Sequence, residues 1–243
     1  MLRQEKLAAL GRLVSGIAHE FGNQLGGALG LLDLALLEDD LSEVHASLAP
    51  VRETLTRALT TVENLLRFAR GTPLQVQPGV ELGQVLQRAL DLLRAQIDEA
   101  GLEVEVDQGE VPPLSLDPVQ LEQVVLNLVI NAIHATAGAT PPKLLLSLRQ
   151  AEDEVVFAAE DNGPGVPPEV RARIFEPFFT TKGALGGSET PGTGLGLSMA
   201  LGVVEAHSGR LTIDVSPSLM GARFQLWLPS TNGDANRPRP DEG

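Results

Sequence analysis

The sequence predicts a two-part protein of class α plus α/β. An antiparallel helical hairpin pairs with a second copy into a four-helix bundle, and an α/β sandwich follows, its mixed sheet carrying helices on one face. Three observations lead there. Apolar residues recur at steps of three and four through much of the first 70 positions, and helical and strand patterns alternate beyond residue 73. The composition, 43% hydrophobic and 21% charged over 243 residues, is that of an ordinary packed core.

The first helix is marked by Leu7, Leu10, Val14, Ile17, Phe21, Leu25, Ala28, Leu32 and Ala35. Its early steps keep the 3.5-residue period of a bundle seam. Glu38-Asp39-Asp40 ends the pattern, and Ser42 is the expected cap of a second helix carrying Leu48, Val51, Leu55, Leu59, Val62, Leu66 and Ala69. Gly71-Thr72-Pro73 stops it. One hairpin cannot cover its own apolar stripe, so a homodimer is expected. Gly11, Gly16, Gly22, Gly26, Gly27 and Gly30 each cost roughly 1 kcal/mol in a helix interior. Close packing across the seam and a helix that bends explain them equally well.

Residues 1–72 thus form the hairpin, 73–78 a linker, 79–230 the second domain and 231–243 a disordered tail. In the second domain helices are expected at 82–100, 118–136, 168–175 and 197–207, and strands at 102–107, 143–149, 155–160, 210–215 and 222–228.

The charge balance, 18 Lys+Arg against 32 Asp+Glu, argues against nucleic acid as a partner. Cysteine is absent, which excludes disulfides, thiolate metal sites and cysteine nucleophiles. No apolar run approaches the ~18 residues of a membrane span, and Met1-Leu2-Arg3-Gln4-Glu5-Lys6 opens no signal peptide. The expectation is a cytoplasmic chain, soluble in itself or the cytoplasmic portion of a longer membrane-associated sensor.

Four stretches carry chemistry. Counted from seam positions Val14 and Ile17, His19 falls on the outward face of the bundle beside Glu20. A neutral imidazole, with pKa about 6.5, can act as a nucleophile, and Glu20 can take or hold its proton, an aid worth ~10²–10⁴ in rate. Taken alone, a solvated surface histidine is the simpler reading. Asn127 and Asn131 share one face of an apolar helix. Their amide oxygens suit Mg²⁺ that keeps its waters and nucleotide phosphates, and equally suit two buried amides bonded to backbone. Asp161-Asn162-Gly163-Pro164-Gly165 closes a strand. Its carboxylate can accept a hydrogen bond from an exocyclic amine, which would choose adenine over guanine, although the motif alone is also an ordinary turn. Gly192-Thr193-Gly194-Leu195-Gly196-Leu197-Ser198 opens a helix whose N–H groups can face phosphate. It has neither the P-loop spacing nor the preceding strand of a dinucleotide fingerprint.

Read in order, these pieces resemble the two-component sensor histidine kinases. His19-Glu20-Phe21-Gly22-Asn23 is similar to the phosphoacceptor box, Asn127 to Ala132 to the N box, and Asp161 to Gly165 to the first glycine box. Ile174-Phe175-Glu176-Pro177-Phe178-Phe179 resembles the F box, and Gly192 to Leu197 the second glycine box. The likeness covers about residues 7–228. It implies a Bergerat-type ATP-binding domain and an ATP- and Mg²⁺-dependent protein-histidine kinase. In that reading His19 takes the γ-phosphoryl group, Glu20 is the base and a response-regulator receiver aspartate is the next acceptor. It further implies that Asn131 binds Mg²⁺ with Asn127 nearby, and that Asp161 reads adenine in a slot lined by Gly163 and Gly165. Gly192, Thr193, Gly194, Leu195, Gly196 and Leu197 would bound a lid over the phosphates, anchored by Phe175 and Phe178. Lys182 either approaches the phosphates or is a solvated lysine.

Four positions depart from or qualify the pattern. Gln24 stands where the family most often has Pro. Asn23, four after His19, is a position linked in the family to dephosphorylating the regulator. His134, three after Asn131, replaces a frequent basic residue, and Ala222 a frequent Thr. A regulator phosphatase with weak kinase activity, and a nucleotide-gated dimeric scaffold without phosphotransfer, are the alternatives. Input is expected from an upstream sensor segment, a partner protein or the bundle itself.

Overall fold

In a computed structural model the chain divides into two compact units, Met1–Pro73 and Leu74–Gly243. The structure describes residues 22, 25–37, 40–70, 73–177, 179–180 and 194–230. The expected helix start at 7–21 and the tail from 231 lie outside the described residues.

In the first unit helix α1 is described over residues 25–35, and α2 spans Leu41–Arg70. The sequence assigns the cap of α2 to Ser42, but Asp40 takes that role. Its carboxylate accepts from the Ser42 backbone N–H at 2.7 Å and from the Ser42 hydroxyl at 2.6 Å. Those two bonds, the hydroxyl bond first, hold the Asp40 carboxyl below its usual range. The hairpin buries small residues, Ala28, Ala35 and Ala58, together with Val51. Its leucines do not follow. Leu25, Leu29, Leu32 and Leu36 form an exposed row along α1, and Leu41, Leu48 and Leu55 stand exposed at seven-residue spacing on α2.

In the second unit, strands β2 (Glu103–Gln108), β4 (Lys143–Ala151), β5 (Glu154–Asp161), β6 (Arg210–Val215) and β7 (Ala222–Pro229) form one sheet in the order β2-β4-β5-β7-β6. The β2–β4 pair is parallel and the others antiparallel, so the sheet is mixed as expected. Helices α3 (Leu82–Ala100), α4 (Pro118–Ala135) and α6 (Gly196–Ala206) cover one face. Alternate sheet residues such as Leu144, Leu146, Val155, Phe157, Phe224 and Leu226 meet Leu121, Val124, Leu128, Val129 and Val204 of the helices in one core. Beyond α3, Gly101 adopts φ +61, and the Leu102 N–H reaches back to the Ile97 carbonyl. No helix among the described residues is long and apolar enough to cross a membrane.

Two features differ from the sequence reading. Gln77–Val80 forms strand β1, antiparallel to β3 (Leu114–Leu116), so the expected linker at 73–78 runs into a strand. Pro78 and Gly79 hide that strand from propensity. The helix expected at 168–175 stops at Arg171 as α5 (Pro168–Arg171). Beyond it, N–H groups of Arg173, Glu176 and Phe179 reach back three residues to Val170, Arg173 and Glu176, a series of tight turns ending at Pro177 and beyond.

Candidate nucleotide site

The site is built along one face of α4. Asn127, Asn131 and Ala135 are spaced by four and share that face. At one end, Asn127 Nδ2 donates to the Gly196 carbonyl at 3.1 Å, while its Oδ1 accepts from Gln123 Nε2 at 3.3 Å. At the other end, a Cβ on Gly163 would lie 2.7 Å from the Ala135 carbonyl oxygen, so only glycine lets these backbones approach. The first glycine stretch therefore touches Ala135 and the second touches Asn127, two turns apart or about 12 Å along the axis. Half-buried Asn131 sits midway.

Asp161 ends β5, which lies between β4 and β7. It is 4% exposed, and its Oδ1 accepts from the backbone N–H groups of Gly163 at 2.9 Å and Ala222 at 3.1 Å. Burial pushes its carboxyl above the usual range, and the two N–H bonds offset that only in part. Gly165, in the same loop, has φ +71. Ala222 contributes here through its main-chain N–H, not its side chain.

Sequence reasoning missed Gly221. A Cβ there would overlap the carbonyl and carboxylate oxygens of Asp161. The β6–β7 turn carries Gly221 to that place. Buried Ser216 donates its hydroxyl to Glu160 at 2.6 Å, and the Ser216 N–H donates to the Gly221 carbonyl at 2.9 Å. The signal was present, a glycine directly before a strand, but its partner lies 60 residues away. Gly221→Ala is expected to lose about 1–3 kcal/mol of stability by overpacking and to weaken nucleotide binding. Urea unfolding and displacement of a fluorescent ATP analogue measure the two effects.

At the second glycine stretch Gly194 has φ +63, and Leu195 is fully buried just before α6. The Leu195 carbonyl accepts from the Ser198 hydroxyl at 2.9 Å and from the Met199 N–H at 2.9 Å. Leu197, Phe175 and Phe179 pack against the core, and the Arg173 guanidinium lies 4.6 Å from the Phe179 ring centroid. His134 is exposed on the last turn of α4. The structure thus brings together Asn127, Gly196, Asn131, Asp161, Gly163 and Gly165. His19, Glu20, Asn23, Phe178, Lys182, Gly192 and Thr193 lie outside the described residues.

Residues 116–232 match the family described as histidine kinase-, DNA gyrase B- and HSP90-like ATPase. Fold and site define the second unit as an ATP-binding domain of that class. Over 94% of its length the chain is 34% identical to sensor kinase CckA of Brucella abortus (strain 2308), covering 25% of that protein. It is 32% identical to sensor histidine kinase ZraS of Escherichia coli (strain K12), again over 94% of this chain and 47% of that one. The chain spans a quarter to a half of the length of such relatives. A crystal structure of histidine kinase ThkA in complex with response regulator protein TrrA superposes with a TM-score of 0.79, covering 94% of this chain and 64% of that one. At 24% identity that match speaks to the fold. The mycobacterial sensor histidine kinase MprB, 28% identical, matches with a TM-score of 0.54 over 64% of this chain and 98% of that one. The second unit thus carries the pattern of that ATPase family, and over nearly all of its length the chain is similar to two-component sensor histidine kinases.

Proposed function

We propose that this chain is the ATP- and Mg²⁺-dependent core of a protein-histidine kinase, which phosphorylates His19 and then an aspartate of a response-regulator receiver domain. The observation that carries the reading is the face of α4, with Asn131 held midway between two glycine-lined ends. An adenine fits the Asp161 end, where the carboxylate accepts from the exocyclic amine, and phosphates fit the Gly194–Gly196 end. Gly192, Thr193, Lys182 and Phe178 belong to that second end by sequence. No cluster of three acidic or histidine ligands occurs among the described residues. The single amide oxygen of Asn131 therefore fits a Mg²⁺ held mainly by water and nucleotide phosphates, which supplies charge neutralisation when bound.

In the transfer itself a nitrogen of His19 bonds to the γ-phosphorus and the bond from that phosphorus to the bridging oxygen breaks. ADP leaves, and the imidazole proton passes to Glu20. Asn23, four residues on in the sequence, is assigned to removing phosphate from the regulator. That ThkA was solved with TrrA supports a receiver domain as partner. Both ATP and receiver domains are cytoplasmic, which supports that location.

The exposed leucine rows of the hairpin support a homodimer closed as a four-helix bundle. Replacing Leu29 and Leu55, 59% and 42% exposed, by Glu is expected to give a folded monomer. Sedimentation equilibrium checks this, and a variant that stays dimeric overturns it. The kinase reading is tested with γ-labelled ATP and Mg²⁺, and the expected result is protein label that is acid-labile and alkali-stable. ATP binding without any label favours the scaffold or the phosphatase.

A further inference from the structure

We propose that Asp117 and His207 are positioning residues for the nucleotide site, fastening the end of α6 to the start of α4, with Gln75 tying the connecting segment to the same point. The inference rests on the reading of this domain as a nucleotide site.

Two bonds hold α6 against α4. One is Asn127 Nδ2 to the Gly196 carbonyl, at the start of α6. The other, at its end, runs from the Asp117 backbone N–H to His207 Nε2 at 2.9 Å. The helices are therefore antiparallel. Ten residues separate the two points on α4 and eleven on α6, about 15 and 16 Å at the helical rise, so the bonds run straight across like two rungs. Gly194 and Gly196, which bound the phosphate end, cannot shift along α4 while both rungs hold.

The histidine suits its place. His207 is 8% exposed, and its Nδ1 lies 2.8 Å from the Val203 carbonyl, which can only accept. Nδ1 therefore carries the hydrogen, and Nε2 is left as an acceptor for the Asp117 N–H. In a capping box a local side chain three residues into the helix supplies that acceptor. That position here is Gln120, whose Nε2 is buried without a partner. His207 supplies the acceptor from 90 residues away instead.

Asp117 joins a third segment. Its Oδ1 caps α4 by accepting from Val119 and Gln120, both at 3.1 Å, while Oδ2 accepts from the Gln75 N–H at 2.9 Å. Burial by itself would raise this carboxyl. The three N–H bonds, that of Gln75 foremost, outweigh it and hold the carboxyl below its usual range. Gln75 stands two residues beyond Pro73, where the first unit ends. The connecting segment, the helix bearing Asn131 and the helix opened by Gly196 thus meet at one buried carboxylate.

The test compares two amides differing by one methylene in the full chain. His207→Gln reaches the Nε2 position and keeps an acceptor for Asp117, whereas His207→Asn keeps the Val203 bond and falls short of Asp117. Affinity for a fluorescent ATP analogue is measured well below each melting temperature. The expected result is about a tenfold loss in His207→Asn and near wild-type affinity in His207→Gln. His207→Phe, which keeps the ring volume, is the second variant and is expected to behave as His207→Asn. Variants that melt lower but bind as wild type reduce the pair to fold stability and overturn the proposal. A wild-type chain that binds no ATP analogue overturns the nucleotide reading instead. Asp117→Asn keeps the helix cap but sets an amide donor against the Gln75 N–H. It is expected to abolish hydrogen-exchange protection at Gln75, and unchanged protection there overturns the link to the connecting segment.

Discussion

Asp161→Asn is expected to bind ATP at least about a hundredfold more weakly than the wild-type chain without melting lower. The asparagine keeps the oxygen that accepts from Gly163 and Ala222, so the end of β5 and the turn before β7 stay in place. It puts an amide donor where the second carboxylate oxygen stood, and adenine's exocyclic amine is itself a donor. Binding and stability are expected to part because burial disfavours the charged carboxylate in the folded chain. The linkage has a definite sign. A carboxyl raised in the native state binds its proton at a higher pH than in the unfolded chain, so its contribution to stability falls as pH rises from 3.8 through the raised value. The variant lacks this term. Its melting temperature, compared with wild type from about pH 3 to 7, should gain on the wild type as pH rises. Asp117 works in the opposite sense. Its carboxyl is held below 3.8, so its contribution is present above that value and is lost as pH falls further. An Asp161→Asn chain that binds ATP normally removes Asp161 from adenine recognition.

His19→Gln is expected to bring acid-labile phosphoprotein down to background with ATP affinity unchanged. Glutamine offers no nucleophilic nitrogen, so the bond to phosphorus cannot form. The residues that would hold the nucleotide all lie in the second unit, between Asn127 and Ala222, and His19 lies in the first. Binding and transfer therefore separate cleanly in one variant. Label persisting on the protein identifies another acceptor. Lost binding would mean that His19 contributes to holding the nucleotide.

Much of the fold was legible because its signals are local. The period of 3.6 marks α3 and α4, Pro118 and Gly101 punctuate their ends, and alternation marks β4 and β7, whose inward residues are Leu144, Leu146 and Leu148 and then Phe224, Leu226 and Leu228. The five motifs were legible for the same reason, being short runs in a set order. Strand β1 was not. Pro78 and Gly79 weaken the strand signal of Gln77-Pro78-Gly79-Val80, which exists by pairing with β3, more than thirty residues on.

The sequence by itself determined the architecture of the second unit, its ATPase class and the chemical types at the site: an amide pair, a carboxylate at a strand end and two glycine stretches. Tertiary structure decided what each group touches. It gave the Asn127 amide to the Gly196 carbonyl, placed Gly221 over Asp161, moved the cap of α2 from Ser42 to Asp40 and set His207 on the N–H of Asp117. It also showed that, among the described residues of the hairpin, Ala28, Ala35 and Ala58 are buried while Leu25, Leu29, Leu36, Leu41, Leu48 and Leu55 stand exposed. The physical reason is the range of the signal. Periodicity and capping are written within a few residues. A hydrogen bond across 60 or 90 residues depends on where two elements come to rest after the core has packed.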